Sequence, residues 1–368
     1  MTRGQNGDEI WSARFSPNGK LLVVGCHRGV LKVINTETQE EERVIEGHLG
    51  WVSSIAFSPR GDLAATGSYE GAIKVWNPAT WELVQTLSEY SREVKTPFAG
   101  ICFNQQHPDS PGEIRSLCFS PDGRLLAGAM SYGDDKEKGI KIGIWDPVRG
   151  KHVQEIRSGW DPAKAWRTVN ALSFAKDGLL GISCSAHVVM SKNWRSTTYK
   201  SAPFNVVFDV ATGKEIKTFM GDGREDLTAA FSPDGKTFVC GAQGGVINVW
   251  DSKNGSQTKQ LTRHSDSVDV LTFCSGGKLL VSGGWDKAMR VWDLAVGEQI
   301  AWLPCTDRII AIWSDPMTPH LIVADGGGPS NVPNIDWLDL VGFTSSVSSE
   351  ARGKIGWWHR LRRRWKSV

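Results

Sequence analysis

The 368-residue sequence lacks the features that identify secreted, membrane-spanning and disulfide-stabilised proteins. No stretch approaches the ~18–20 consecutive apolar residues of a membrane span, and no apolar N-terminal run precedes a cleavage site. The seven cysteines are odd in number and widely scattered, and no two of them form a C-x-x-C pair. We therefore expect reduced thiols in a cytoplasmic or nuclear protein that is neither secreted nor membrane-spanning.

Motifs that carry catalysis or bind cofactors are missing as well. The eight histidines are dispersed without the spacing of metal ligands. There is no Walker loop and no G-x-S-x-G segment, and GDGRED at 221–226 lacks the strand–helix setting of a phosphate-binding loop. The sequence thus predicts a protein that is not an enzyme, with no catalytic residues, no cofactor and no metal.

An excess of charge of one sign is also missing, except at the C-terminus. The net charge is +2, but residues 350–368 contain seven Lys or Arg and one acid. That segment therefore carries +6, and the preceding 349 residues carry about −4. Because attraction to phosphate would be local to this segment, a nucleic-acid partner is disfavoured for the chain as a whole.

What the sequence does contain is an internal repeat. An aromatic residue followed by a turn recurs as FSPNG, FSPRG, FSPDG, FAKDG, FSPDG, FCSGG and a degenerate WSDPM. Pro and Asp suit the central positions of a tight turn, and Gly supplies a positive φ. After each turn come an apolar run and an alternating strand that ends before an Asp or Asn. The residues before that Asp or Asn are Ile34, Trp76, Trp145, Phe208, Trp250, Trp292 and Leu338.

This pattern resembles the WD-repeat β-propeller family, whose period is about 40–45 residues with a Gly-His and a Trp-Asp signature. Gly47-His48 supplies the first of these, and Trp250 and Trp292 lie one such period apart. The resemblance covers residues 8–342 and implies an all-β, seven-bladed propeller of four-stranded antiparallel blades. Residues 343–368 then form a short basic tail. The sequence offers two candidates for the outer strand of the seventh blade. MTRGQNG at 1–7 is a poor candidate, and FTSSV at 343–347 is the other one.

The resemblance also implies a buried polar network within single repeats. In the sixth repeat His264 would bond Asp286, with Ser282 and Trp292 extending the chain of hydrogen bonds. The second repeat has Glu70 where the family has Asp. The first and fifth repeats lack the network, since Arg28 and Gly244 occupy the acidic position and Val24 and Cys240 the hydroxyl position. Those blades are expected to depend more on packing.

Four segments exceed the repeat length, namely 88–113, 131–139, 158–168 and 185–203. In propellers, connections between blades and loops between second and third strands open on the same face, so all four are expected on one face over blades two to four. Aromatic and Arg residues are enriched at interface hot spots. The predicted partner-binding residues are Trp160, Trp166, Arg167, Lys192, Trp194, Arg195 and Tyr199. The alternative is that these are tolerated loops whose aromatic residues pack on the rim.

The tail, GWWHRLRRRWKSV, has the spacing of a short amphipathic helix. Ile355, Trp358, Leu361 and Trp365 would form one apolar stripe. This pattern favours an anionic membrane surface or an acidic protein, with the helix forming on contact. The alternatives are a flexible tail or one docked on the propeller itself. The predicted contact residues are Trp357, Trp358, Arg360, Arg362, Arg363, Arg364 and Trp365.

Three functions remain open at this stage. The sequence favours a non-catalytic scaffold that presents the elaborated face to a protein partner, as a monomer within a larger complex; this rests partly on the family resemblance. A second possibility is the sensor end of a larger signalling protein, such as a fungal-type nucleotide-switch receptor. A third is tethering to a membrane surface or nucleic acid through the tail.

Overall fold

The computed structural model describes residues 9–87, 113–131, 141–157, 166–192, 197–220, 224–315, 320–326 and 333–339. The tail and both candidate closing segments, 1–7 and 343–347, lie outside this part of the chain. Within it, 27 strands form seven sheets. Each sheet is antiparallel and its strands follow one another in chain order, so the protein is an all-β, seven-bladed propeller.

The first three blades are close to the repeat pattern. Blade 1 contains β1 (Ile10–Phe15), β2 (Leu21–Cys26), β3 (Val30–Asn35) and β4 (Glu41–Glu46). Blade 2 contains β5 (Val52–Phe57), β6 (Ala64–Ser68), β7 (Ile73–Trp76) and β8 (Leu83–Leu87). Blade 3 contains β9 (Glu113–Phe119), β10 (Leu126–Ser131), β11 (Lys141–Asp146) and β12 (Lys151–Arg157).

The remaining blades include one with unusually long strands and one with a shorter sheet. Blade 4 contains β13 (Trp166–Phe174), β14 (Leu179–Lys192), β15 (Thr197–Asp209) and β16 (Lys214–Met220). Blade 5 contains β17 (Asp226–Phe231), β18 (Thr237–Ala242), β19 (Val246–Asp251) and β20 (Gln257–Thr262). Blade 6 contains β21 (Val268–Cys274), β22 (Leu279–Gly284), β23 (Ala288–Asp293) and β24 (Glu298–Pro304). Blade 7 has three described strands, β25 (Ile309–Ser314), β26 (His320–Asp325) and β27 (Asn334–Asp339).

The apolar runs after the turns become the second strand of each blade, which is buried on both faces. All residues of β6 and β22 are buried. In contrast, five of the six residues of the outermost strand β4 are exposed. A short continuous apolar run is what a strand covered on both faces requires, and here the neighbouring blades supply the cover.

Glycines in the second strands allow the blades to approach each other. A Cβ atom on Gly25 would lie 2.7 Å from Val52 of the next blade, and one on Gly283 would lie 2.7 Å from Ile309. Real Cβ atoms do not approach other atoms so closely. A side chain at either position would therefore push the adjoining blade away.

The ring closes by packing and by hydrogen bonds between blade 7 and blade 1. Buried residues of both blades form one hydrophobic cluster. The Arg308 guanidinium donates to the Ile10 carbonyl at 2.7 Å, and Trp313 Nε1 donates to the Pro17 carbonyl at 3.0 Å. Near the outer edge, Trp337 Nε1 donates to the Thr36 carbonyl at 3.1 Å. These contacts close the ring without a shared outer strand in the described residues.

Helical structure in the described residues is restricted to the short 3-10 turns His27–Gly29 and Ser275–Gly277. No helix in this part of the chain is long and apolar enough to cross a membrane.

Candidate interaction surface

One face of the ring, here called the upper face, carries the connections between blades and the turns from second to third strands. Backbone hydrogen bonds hold these two kinds of segment together. His27 N donates to Glu9 O, and Tyr69 N donates to Trp51 O, each at 3.0 Å. The four segments that exceed the repeat length all join strands whose described ends lie at this face. The upper face is therefore the elaborated one.

In blade 6 the structure brings together the four residues of the polar network. His264 Nδ1 lies 2.8 Å from Asp286 Oδ2, and His264 Nε2 lies 2.7 Å from Ser282 Oγ. Trp292 Nε1 donates to the same Ser282 oxygen at 2.8 Å. Burial opposes ionisation of Asp286, but the bond from His264 and the backbone N–H of Ser265 outweigh it and lower the pKa of the carboxyl. The network fixes the connection that enters blade 6.

Blade 2 has the same network, with glutamate in place of aspartate. His48 Nδ1 lies 2.9 Å from Glu70 Oε1, and His48 Nε2 lies 2.7 Å from Thr66 Oγ1. Trp76 Nε1 donates to Thr66 Oγ1 at 2.8 Å. The second Glu70 oxygen accepts from the backbone N–H of Leu49 at 2.9 Å. The departure from the family residue at position 70 thus leaves the network complete.

Blade 5, which the sequence predicts to lack the network, has a different polar arrangement. Trp250 Nε1 is buried and has no hydrogen-bond partner among the described residues. The residue in the hydroxyl position, Cys240, directs its sulfur to Asn205 Oδ1 of blade 4 at 3.2 Å. Asn205 Nδ2 in turn donates to the buried Asp226 carboxylate at 3.0 Å. Polar contacts between blades replace those within the blade.

A cluster of aromatic side chains lies on the upper face over blades 1 to 3. Trp11 stacks on Trp51 with ring centroids 4.5 Å apart, and the Tyr69 ring lies 5.0 Å from that of Trp51. His27 lies 4.7 Å from Trp51, and the Arg115 guanidinium lies over the Tyr69 ring at 5.4 Å. We call Trp11, His27, Trp51, Tyr69 and Arg115 the aromatic cluster.

The aromatic cluster is accessible to a partner. The Trp11 side chain is 41% exposed, and the neighbouring Leu49, in the connection that enters blade 2, is 91% exposed. Arg115 is held by an ion pair with Glu113 at 2.7 Å. A half-exposed stack of aromatic rings beside an exposed leucine and a fixed arginine has the composition of a protein-binding hot spot.

A second aromatic–arginine pair lies on the same face at blades 6 and 7. The Arg308 guanidinium lies 4.8 Å from the Trp285 ring centre, and Trp285 is half exposed. Asp269 accepts a hydrogen bond from Trp285, and burial of this carboxyl raises its pKa to about 6 despite that bond and the nearby Arg308. Since Arg308 also donates to Ile10, this pair is linked to the strand that carries Trp11.

The predicted partner-binding residues fall on or near blade 4. The segment 185–203, expected as an inserted loop, continues β14 and β15 as a hairpin with Ser185 paired to Pro203 and Lys192 to Thr197. The start of β13 joins it, with Trp166 opposite His187. Of the predicted set, Trp166, Arg167, Lys192 and Tyr199 lie in these strands, whereas Trp160, Trp194 and Arg195 lie outside the described residues. The predicted tail contacts, Trp357, Trp358, Arg360, Arg362, Arg363, Arg364 and Trp365, lie outside them as well.

The sequence did not point to the aromatic cluster, because its members lie within ordinary repeats and come together only across blades. One signal was present. Tyr69 directly precedes Glu70, and Trp285 directly precedes Asp286, so an aromatic residue adjoins the acid of each network. The turn that the network fixes therefore presents an aromatic side chain on the upper face in both blades.

Groups of three or more His, Cys, Asp or Glu side chains arranged to hold a metal ion do not occur in the described part of the chain.

Comparison with known proteins agrees with the blade pattern. Five segments, 2–35, 39–77, 101–136, 213–251 and 255–293, match the family described as WD domain, G-beta repeat, and together they make up about half of the chain. The chain belongs to this WD-repeat family. Proteins of the family commonly act as non-catalytic interaction scaffolds.

Several curated relatives share this similarity. Telomerase protein component 1 of Rattus norvegicus is 24% identical over 77% of this chain and 9% of its own length. The Mus musculus protein of the same name is 23% identical over 84% of the chain and 10% of its length. WD40 repeat protein poxJ of Penicillium oxalicum is 30% identical over 31% of the chain and 34% of its length. The chain thus spans a tenth to a third of the length of these WD-repeat relatives.

Proposed function

We propose that this WD-repeat chain is a non-catalytic scaffold whose upper face binds a protein partner across blades 1 to 4. The observation that carries the proposal is the aromatic cluster. Trp11, Trp51 and Tyr69 come from different strands and turns, yet their rings pack together and leave one side open to solvent. A soluble propeller gains little stability from a half-exposed Trp11, whereas a binding surface gains a rigid apolar contact.

The blade-4 hairpin extends this surface. The upper ends of β13, β14 and β15 carry the positions Trp166, Arg167, Lys192 and Tyr199 beyond the length of an ordinary blade. Together with Trp160, Trp194 and Arg195 they form the second part of the proposed contact, in line with the loops of blades two to four that the sequence favours.

The relatives support a role inside a larger assembly or a longer protein. One is named a telomerase protein component and another a WD40 repeat protein, and both are much longer than the matched region. We propose that the chain acts as a monomer within a cytoplasmic or nuclear complex. The alternative is that the chain is the sensor end of a fungal-type signalling or nucleotide-switch receptor. The same observation supports it, namely that the matched WD-repeat region of these relatives is part of a longer chain.

A test of the aromatic cluster uses two matched double variants. Trp11→Ala with Leu49→Ala alters the upper face, and Leu83→Ala with Val153→Ala alters outer strands where the side chains are 49% and 52% exposed. Proteins captured by the wild-type chain from a lysate of its own cells are compared by mass spectrometry with those captured by each variant. We expect the upper-face variant to lose specific partners that the outer-strand variant retains. Equal retention by both variants would contradict this assignment of the face.

A second candidate function is tethering through the tail. The composition of residues 350–368, seven basic residues and one acid with interspersed tryptophans, supports binding to an anionic membrane or an acidic protein surface. Binding of the full chain and of a chain that ends at residue 349 is measured with vesicles that contain or lack anionic lipid. Binding that depends on both the tail and the anionic lipid is expected, and equal binding to neutral vesicles would exclude the electrostatic contact.

A further inference from the structure

The central channel contains a guanidinium that has no counter-charge among the residues that the structure describes. Arg14 lies in β1, the innermost strand of blade 1, and its side chain is exposed to the channel. No acidic side chain among the described residues pairs with it. Enclosure by the surrounding strands lowers the pKa of Arg14, and the ionisable group that acts on it is the Cys118 thiol of blade 3. Burial raises the pKa of that thiol, which therefore stays neutral and leaves the positive charge uncompensated.

Arg14 is the only charged residue at its position in the seven repeats. It directly precedes the aromatic residue of the turn motif, and in the other blades that position is uncharged. The equivalent residues before Phe57, Phe119, Phe174, Phe231 and Phe273 are Ala56, Cys118, Ser173, Ala230 and Thr272. The ring therefore carries a single charge at this level of the channel in its described residues.

The acids of the innermost strands are engaged elsewhere. Glu113 forms its ion pair with Arg115 at 2.7 Å, and Asp226 accepts from Asn205 at 3.0 Å. Asp269 accepts a hydrogen bond from Trp285 and lies near Arg308. These carboxylates belong to the upper ends of their strands, whereas Arg14 lies next to the turn at the opposite end of β1.

Three serines of the innermost strands supply further hydrogen-bond donors. Leu117 N donates to Ser54 Oγ at 2.9 Å, Leu172 N to Ser116 Oγ at 3.1 Å, and Phe231 N to Ser173 Oγ at 3.0 Å. In each case the hydroxyl oxygen accepts from the next blade. Within the described residues none of the three hydroxyls donates a hydrogen bond, so each retains its O–H.

These serines lie in the strands that border the channel, and their hydroxyls contact the next blade around it. Ser54 lies two residues before Ala56, and Ser116 two residues before Cys118, so each shares a face of its strand with the position equivalent to Arg14. All three serines are half-buried. The described wall of blades 1 to 4 thus offers one positive charge and several O–H donors, and no carboxylate in this part of the chain pairs with that charge.

We propose that the central channel binds an oxyanion of the phosphate class through the Arg14 guanidinium, with the hydroxyls of Ser54, Ser116 and Ser173 as additional donors. A planar guanidinium presents parallel N–H groups that fit two oxygens of a phosphate. Arg14 is exposed and no acidic side chain among the described residues pairs with it, so its N–H donors are available to an anion in the channel. The phosphate comes either as a free ion or as part of a larger phosphorylated molecule that enters the channel.

The test compares Arg14→Gln with Arg43→Gln in the full chain. Arg43 is exposed in the outer strand β4 of the same blade, so both variants lose one positive charge. Melting temperatures are measured at constant ionic strength with inorganic phosphate or chloride. Ligand that binds only the folded state raises its stability with concentration. We expect phosphate to raise the melting temperature of the wild type and Arg43→Gln but not of Arg14→Gln.

Folding of the variant is checked in the same experiment. Without phosphate, Arg14→Gln is expected to melt close to the wild-type temperature, because the Arg14 side chain is exposed and no acidic side chain among the described residues pairs with it. Line broadening of the phosphorus NMR signal of inorganic phosphate measures binding independently of melting. Arg14→Gln should weaken this binding on the order of tenfold or more, the usual scale for losing hydrogen bonds to a charged group. Arg14→Lys, which keeps the charge without the planar donors, should lie between the two.

Repeating the measurements with phenyl phosphate in place of inorganic phosphate distinguishes a free phosphate ion from the phosphate group of a larger molecule. Equal or tighter binding of the ester indicates that the channel accepts the phosphate group of a larger molecule, and selective binding of the inorganic ion indicates a free anion. Either result supports the site. The proposal is wrong if Arg14→Gln responds to phosphate as the wild type does, or if chloride gives the same stabilisation.

Discussion

The indole ring of Trp11 stacks on that of Trp51 although the two residues belong to different blades. Trp11 lies in β1, and Trp51 lies in the connection that leads into β5. The stack therefore joins the first two blades at the upper face, at the same place where the surface is open to a partner. Its members have a structural role and a proposed binding role, and these can be separated by choice of substitution.

Trp11→Phe should leave the stability of the ring nearly unchanged, whereas Trp11→Ala should lower the free energy of unfolding by about 1 kcal/mol. An aromatic pair contributes about 0.5–1.5 kcal/mol beyond its buried area, and phenylalanine retains a ring to stack on Trp51. Urea denaturation followed by far-UV circular dichroism measures both variants. A loss for Trp11→Phe as large as for Trp11→Ala would show that the indole itself, and not stacking, supports the contact.

Trp292→Phe should destabilise the protein by about 1–2 kcal/mol more than Trp250→Phe. Both tryptophans are buried in equivalent strands, but only Trp292 Nε1 has a hydrogen-bond partner, Ser282 Oγ, among the described residues. Phenylalanine removes the same ring volume in both blades, so the difference combines the loss of the Trp292 hydrogen bond with the removal of the unpaired Trp250 N–H. Equal losses in urea denaturation would show that the network of blade 6 adds little to packing.

Asp286→Ala should lower the free energy of unfolding by about 3 kcal/mol or more, and Glu70→Ala should cost less. The Asp286 side chain is 2% exposed and that of Glu70 is 17% exposed, so water can replace part of the interactions of Glu70. Removing the Asp286 carboxylate leaves the Arg290 guanidinium without its ion-pair partner and His264 Nδ1 without its hydrogen-bond partner. Thermal melting at pH 7 ranks the two variants, and a larger loss for Glu70→Ala would contradict the ranking by burial.

These two acids also predict how stability changes in acid. The pKa values of Asp286 and Glu70 are lowered in the folded protein. Their contribution to stability is therefore present above the ordinary carboxyl pKa and is lost as the pH falls through the lowered values. Melting temperatures of the wild type should fall more steeply below about pH 4 than those of the double variant Asp286→Asn with Glu70→Gln. Parallel pH profiles would exclude the two carboxyls as the cause.

Much of the blade pattern could be predicted because its determinants are local. In the turn FSPDG, Ser120 Oγ donates to Asp122 Oδ1 at 2.6 Å and Gly123 adopts a φ of 75°. Each residue type in the motif stabilises the turn within five positions, so the turn can be recognised from the sequence. The blade 6 network can also be recognised from the sequence, since His264, Ser282 and Trp292 lie at the spacing of the family within one repeat.

The blade-4 hairpin and the aromatic cluster were not predicted, for different reasons. Segment 185–203 exceeds the repeat length, which predicts a loop, although HVVMSK and STTYK are rich in residues that favour strands. The composition of this segment favours strands, whereas its excess over the repeat length favours a loop. The aromatic cluster depends on contacts between residues about 40 positions apart in neighbouring blades, such as Trp11 and Trp51. Those contacts require the packed ring and have no local signature.

Asp269→Asn should change the pH dependence of stability in the opposite direction to the two network acids. Burial beside Trp285 raises the pKa of Asp269 from its ordinary value to about 6, despite the nearby Arg308. Because the folded protein holds this proton more tightly than the unfolded chain, the wild type loses stability as the pH rises from the ordinary value through about 6.

Asparagine cannot ionise and retains an oxygen that can accept from Trp285, so the variant should lack this loss. The melting temperature of Asp269→Asn relative to the wild type should therefore increase between about pH 4 and pH 7 and level off above that range. Asp177→Asn, an exposed position in blade 4 that is not among the groups acting on Asp269, is the control and should follow the wild type. A constant difference between Asp269→Asn and the wild type across this range would show that the carboxyl titrates normally and that Arg308 compensates its burial.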